Sequence, residues 1–198
     1  MLDDVFRRLA DPEFQALGAG LMSFPAYVYV YPPDQEYEFR EAISTLPKRL
    51  RRPNVGQDPL LVNIFEEFLS FLEAESLSGR PLLSHVLEQE ADAPKMVERQ
   101  LKGQAKSDGF IQGLADKFDR HVSEESELNR SYILVHGWGA IHPYLRSSQF
   151  LDRMEGEIGE YKLILFYPGT YEGGQFRLFG QLSSNRVYRA SCLNEMIE

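Results

Sequence analysis

The sequence predicts an α/β fold: a mostly parallel central sheet flanked by helices, Rossmann-like or degenerate P-loop-like. A helical insertion sits in its middle and an antiparallel hairpin at its C-terminal edge. Three observations carry this reading. The runs ILV (133–135) and LILFY (163–167) are continuously apolar, the pattern of strands covered on both faces, which is the parallel arrangement. A helix-length segment, PYLRSSQFLDRMEGEI, separates them and gives strand, helix, strand. An earlier run, AYVYVY, has the same relation to a helical pattern behind it.

Taken in order, Leu2, Val5, Phe6 and Leu9 share one face of an opening helix that breaks at Asp11-Pro12. A short apolar piece with Phe14, Leu17 and Leu21 follows. Ala26 to Tyr31 is rich in β-branched and aromatic residues and stops at Pro32-Pro33, which marks the first strand. Phe39, Ile43, Leu46 and Leu50 then recur at helical spacing, with Pro47 predicting a kink or an early end. Leu60 to Ile64 reads as a second, buried strand in preference to one long helix from Asp58, because strand and helix already alternate on both sides. It feeds a helix carrying Phe65, Phe68, Leu69 and Leu72. Ser78 to Pro81 is a turn. Residues 84–130, the most polar part, read as helices, one with Met96, Val97 and Leu101 and another with Ile111, Leu114, Phe118 and Val122. After the two apolar strands, FRLFGQL and VYRASC are expected to close the chain as an antiparallel pair.

The chain of 198 residues fits one domain spanning 1–198, with 84–130 as an insertion or crossover within it. A hydrophobic content of 43% is ample for a core. Lys and Arg number 21 against 30 Asp and Glu, and the resulting charge of −9 argues against a general duplex-DNA binder, whose affinity rests on cations. A single cysteine leaves no intrachain disulfide and suits a reducing cytosol. The acidic, amphipathic N-terminus is unlike a signal peptide, and no apolar run reaches the ~20 residues that span a bilayer. These features predict a soluble, cytoplasmic protein without membrane attachment.

Chemistry is sparse. A phosphate-binding loop needs closely spaced glycines after a strand, and a lysine in the Walker case. His136-Gly137-Trp138-Gly139-Ala140 supplies two glycines, but no third and no Lys-Ser/Thr pair. It reads as a tight turn, with Pro143 opening the next helix. His136 and His142 flank it without the further ligands zinc requires. Cys192 near the last strand's end reads as a packed thiol. Glu160-Tyr161-Lys162 places both charges on one strand face, as a metal-dependent nuclease would, but its upstream acidic candidate, Asp152, falls within a helix. A degenerate nucleotide-binding domain and such a nuclease are therefore the enzymatic alternatives.

Two segments suit binding better. Lys48, Arg49, Arg51 and Arg52 form the basic cluster, read either as a complement to a helix C-terminus or as a contact for nucleic acid or an acidic partner. The run Tyr167-Pro168-Gly169-Thr170-Tyr171-Glu172-Gly173-Gly174 combines tyrosines, glycines and a proline at a strand end. Tyrosine offers large amphipathic area at modest entropy cost. Tyr167, Pro168, Gly169 and Tyr171, with Arg177 and Phe179 behind them, are the candidate interaction surface. A long hairpin loop without a partner is the competing reading.

The stretch LILFYPGTYEGGQFRLFGQLSSNRVYRA resembles the C-terminal signature of the BrxB family of bacteriophage-exclusion (BREX) loci. The matching positions are Phe166, Tyr167, Pro168, Gly169, Leu178, Phe179, Gly180, Tyr188, Arg189 and Ala190, and HGWGAIHPYLRSSQFLDRME is similar to the strand, loop and helix that precede them. The resemblance covers about residues 131–192. It implies a small, non-catalytic component of a bacterial anti-phage system, with other BREX proteins as partners, notably the PglZ-type alkaline-phosphatase-like protein and the BrxC-type ATPase. It carries over no catalytic, cofactor or metal residue, and any nucleic-acid contact is expected only indirectly.

Overall fold

Alternation along the strands divides the buried side chains between the two faces of one sheet, and the helices follow that division. The computed structural model describes residues 1–16, 25–157, 161–183 and 190–197. The chain opens with α1 (Asp3–Ala10) and a single turn, α2 (Pro12–Gln15), where the Asp11 carboxylate accepts from the Glu13 N–H at 3.0 Å. β1 (Ala26–Tyr31) leads through a 3-10 turn into α3 (Glu36–Leu50). β2 (Leu60–Asn63) follows, and the Asn63 side chain caps α4 (Ile64–Ala74) by accepting from the Phe65 N–H at 3.2 Å. A small hairpin, β3 (Ser76–Leu77) with β4 (Arg80–Pro81), turns on Ser78 and Gly79, both at positive φ.

Three helices come next: α5 (Leu82–Gln89), α6 (Pro94–Gln104) and α7 (Asp108–Ser123). The chain then runs through β5 (Tyr132–His136), the short α8 (Trp138–Ile141), α9 (Ser147–Met154) and the long β6 (Lys162–Glu172). β7 (Gln175–Leu178), β8 (Leu182–Ser183) and β9 (Ser191–Cys192) complete it.

The sheet runs β2-β5-β6-β1-β9, and every pair along that path is parallel. Tyr27, Tyr31, Tyr132, Leu134, Ile164 and Phe166 face α1, α2 and α3. Their neighbours Ala26, Val28, Ile133, Val135, Leu163 and Leu165 face α4 to α9. Both faces are dry, which is why these strands lack polar alternation. The segment expected as an insertion or crossover is the connection from β2 to β5. Its Val97, Leu101, Phe110, Leu114 and Phe118 join the same apolar cluster as α4 and α9. Each such side chain stabilises the fold by roughly 1.5–3 kcal/mol. Beyond β9 the Asn194 carboxamide continues the ladder: it accepts from the Val30 N–H at 2.8 Å and donates to the Val30 carbonyl at 3.0 Å.

Four local expectations are corrected. Pro47 does not end its helix, which continues to Leu50; the proline sits in the last turns and is buried against the core. Pro143 does not open a helix. α8 closes with the Tyr144 N–H donating to the Ile141 carbonyl at 2.9 Å, the His142–Pro143 peptide is cis, and α9 begins only at Ser147. The run 167–174 is not a loop: β6 continues to Glu172 and only Gly173-Gly174, both at positive φ, form the turn. FRLFGQL is not one strand, because Phe179 and Gly180 adopt positive φ and fold β8 back on β7. The antiparallel hairpin therefore exists, but it joins β6 to β7 and β7 to β8. Ser191 and Cys192 instead lie parallel to Tyr27 and Val28 at the other side of β1. Leu17, Leu21, Glu160 and residues 184–189 lie outside the described residues.

Candidate functional site

The C-terminal ends of parallel strands are where an open α/β sheet offers a ligand crevice. Here those ends carry structural groups. Tyr31 stacks on Phe39 with ring centroids 3.9 Å apart, and its hydroxyl donates to Glu36 at 2.6 Å. Burial, reinforced by Glu36, pushes this hydroxyl above its ordinary range, so it stays protonated. Asn63 is spent on the α4 cap. Gly137, at φ +89°, passes so close to it that a Cβ there would lie 2.3 Å from the Asn63 Oδ1. His136 is half-buried, and burial pulls it below the usual imidazole value against the opposing charges of Glu66 and Glu36.

β6 overruns these strand ends. Its last register pair with β1 is Pro168 with Tyr31, and from Gly169 onward it pairs with β7. One face of this hairpin is packed inward. Tyr171 and Phe176 are cross-strand partners with ring centroids 4.6 Å apart, and Tyr167 meets Phe176 edge-on at 6.2 Å. Gly169 is obligatory, since a Cβ would sit 2.1 Å from the Arg177 carbonyl oxygen. Of the expected surface residues, Tyr167, Pro168 and Gly169 are thus buried. The hydrophobic run that marked them marks packing. Tyr171 and Arg177 are partly exposed, and Phe179 and Leu182 are 42% and 46% exposed. Phe179 leans on the backbone of Gly139, where a Cβ would lie 3.2 Å from its ring, which explains the second glycine of the GxG turn.

Under the hairpin lies a cavity of about 260 Å³. Its walls are Trp138 of α8, His142 to Ser148 in part, and Tyr167, Leu178, Gln181 and Leu182 of the hairpin. The sequence marked His142, Trp138, Tyr167 and Leu178 for other reasons, and gave no sign that they share a cavity with Leu145 to Ser148, Gln181 and Leu182. Among the described residues no group of three or more His, Cys, Asp or Glu is placed to hold a metal. The Arg-Ser-Ser at a helix start was the available signal, but its facing wall is some thirty residues away in sequence and requires the hairpin to fold back.

The remaining candidates are dispersed. Lys162 is buried at the start of β6, opposite the strand ends, where its Nζ donates to the Ala16 carbonyl at 2.8 Å and burial lowers its pKa. Asp152 is exposed on α9. Cys192 is buried, which raises its thiol pKa and leaves little thiolate. In the basic cluster Arg49 pairs with Asp3 at 2.7 Å and stacks on Phe6, and Arg51 pairs with Asp58 at 2.5 Å. Asp58 also holds Arg130 at 2.9 Å, while its carbonyl meets His121 Nε2 at 2.8 Å. Two of the four cations are therefore neutralised within the fold.

The fold and site define an α/β module whose strand ends are closed by structural groups and a projecting hairpin. The chain belongs to the BrxB family: the model for "BREX protein BrxB" matches residues 60–193, from β2 to just beyond β9. It is similar to a BREX protein BrxB of Bacillus cereus (strain H3081.97), 22% identical over 96% of this chain and 93% of that protein. It is also similar to one of Escherichia coli O9:H4 (strain HS), 23% identical over 83% and 75% respectively. No solved structure matches the chain significantly. Membership in this family implies a component of a bacterial BREX anti-phage system. Of the residues in the recognised signature, Phe166 to Gly169 are buried strand and Phe179-Gly180 the positive-φ turn. Tyr188 and Arg189 lie outside the described residues.

Proposed function

We propose that this protein is a non-catalytic adaptor that joins larger BREX proteins, with the outer face of the β6–β8 hairpin as its first contact surface. The observation that supports this reading most is the placement of the hairpin. It projects over the sheet end that an α/β enzyme would keep open, and it presents Phe179 and Leu182 to solvent with the partly exposed Arg177. Apolar and aromatic groups with an arginine are the composition enriched in protein interfaces. The PglZ-type alkaline-phosphatase-like protein and the BrxC-type ATPase are the partners to test first. Size-exclusion chromatography of equimolar mixtures is expected to shift this chain to the elution position of a complex with at least one of them. Elution as a free species with every co-encoded BREX protein would end the proposal.

A further inference from the structure

β2 closes one side of the sheet: among the described residues it pairs only with β5. Leu60, Leu61 and Val62 make no other backbone hydrogen bond among those residues. An edge strand carries a row of unpaired N–H and C=O groups, which is a template for one more strand. Leu60 and Leu61 are both partly exposed, and successive side chains of a strand point to opposite faces. Leu60 accordingly packs with the cluster under α4 to α9, and Leu61 with the cluster under α1 to α3.

An open groove of about 450 Å³ lies against this edge, large enough to admit a chain segment and not only an ion. Pro47 and Lys48 of α3 line one side and His121 of α7 the other, with Leu60 and Leu61 between them. α3 and α7 cover opposite faces of the sheet, so a groove that touches both crosses its rim. Its charge is opposite to that of the whole chain. Lys48, Arg51 and Arg130 stand in the wall against one carboxylate, Asp58, in a protein of net charge −9. The Asp58 side chain is only 12% exposed and is already held by both arginines, while His121 Nε2 is spent on the Asp58 carbonyl. Glu124, outside the wall, holds Arg130 from the solvent side. Arg51 nevertheless keeps 47% of its side chain exposed, and Lys48 is exposed without an ion pair among the described residues.

We infer that this edge receives an extended acidic segment of a partner protein, added to β2 as a further strand. Its carboxylates meet Lys48, Arg51 and Arg130, and its apolar side chains lie beside Leu60 and Leu61. Strand addition draws affinity from main-chain hydrogen bonds and specificity from the side chains that flank them. Nucleic acid fits less well: three cations release few counterions, and a phosphate backbone has no donor for the strand's carbonyls. The groove lies at the start of β2 and β5, whereas the hairpin rises from the far end of β6, and the three strands are parallel. The two surfaces therefore share no residue, and the test below uses the isolated chain with peptides, so this inference and the hairpin contact fail separately.

Fluorescence anisotropy with labelled nonapeptides provides the test. A peptide of alternating Glu and Val is expected to bind saturably, and at least tenfold more tightly than one of alternating Lys and Val. Replacing its valines by proline keeps the charge but removes N–H donors that a strand needs, and should abolish binding. Lys48→Glu should weaken the Glu/Val peptide at least tenfold while Tm stays the same. Arg52→Glu, which reverses an exposed cation outside the groove wall, should bind like wild type. The inference is overturned by any of five results: no saturable binding up to about 1 mM peptide, equal binding of either control peptide, full binding by Lys48→Glu, an equal loss in Arg52→Glu, or tighter binding of oligothymidylate than of the Glu/Val peptide.

Discussion

Gly169→Ala is expected to destabilise the protein by about 3 kcal/mol and to open the hairpin, an effect large for a single methyl group. The added Cβ would stand 2.1 Å from the Arg177 carbonyl oxygen, 3.0 Å from its carbon and 3.3 Å from the Leu178 Cα. All three are backbone atoms, so no side-chain rotation relieves the contact. Separation of β6 from β7 is the remaining response, and it breaks the register that places Phe176 against Tyr171. A second glycine supplies the control. Gly113, within α7, has open space where a methyl group would project, with no atom within 4 Å, and alanine there is expected to stabilise by about 0.5–1 kcal/mol through helix propensity. Urea denaturation of both variants measures the contrast. Equal midpoints for the two would show that β6 and β7 are not in contact at Gly169.

Asp58→Ala is expected to cost about 2–3 kcal/mol at neutral pH. The Asp58 carboxylate is nearly buried and ties the end of α3, through Arg51, to the entry of β5, through Arg130. The figure sits below that of a fully buried pair because Arg51 is half-exposed and Arg130 keeps Glu124 at 2.7 Å. Burial alone would raise the pKa of Asp58, but the bonds and charges of Arg51, then Arg130 and His121, outweigh it and the net displacement is downward. The folded-state value thus lies below the unfolded one, near 3.9. The carboxylate's contribution is complete above that pH and is lost as pH falls through the folded-state value. Urea midpoints of wild type and Asp58→Ala should differ clearly at pH 7 and converge as pH falls through the folded-state value. A difference that persists undiminished in acid would mean that Asp58 acts by packing and not by charge.

The parallel core was legible in the sequence because burial on both faces leaves a direct trace. AYVYVY, YILVH and LILFY are apolar without alternation; the first two became strands within a residue or two of their expected bounds, and the third became the first half of the longer β6. β2 was legible only from context, since LLVN has the length of a helix turn as well as of a strand. What failed was punctuation. Pro168-Gly169 reads as the start of a loop, yet β6 passes through both. Pro168 sits at the last pair with β1 and still uses its carbonyl to accept from the Phe179 N–H at 2.9 Å, and Gly169 is there because β7 approaches too closely for a side chain. The hairpin was misjoined for a related reason. Phe179 gives no hint of positive φ, which glycine or asparagine would have supplied.

The candidate surfaces were legible as composition but not as exposure. Four cations in five residues are plain in the sequence, whereas Asp3, 46 residues from Arg49, becomes its partner only once α1 packs on α3. The cavity is less legible still, because one wall belongs to the start of α9 and the facing wall to the hairpin, and neither segment signals the other.

The adaptor role rests on the outer face of the hairpin, and its affinity for a BREX partner measures that directly. The double variant Phe179→Ser with Leu182→Ser removes the exposed apolar pair, of which Leu182 also borders the cavity, and leaves the packed Tyr171–Phe176 pair unchanged. Isothermal titration of wild type and variant against the BREX protein that co-elutes with wild type should show at least a tenfold rise in Kd, with Tm of the free chain within a few degrees of wild type. An unchanged Kd in a folded variant would contradict the account and move the contact to another face.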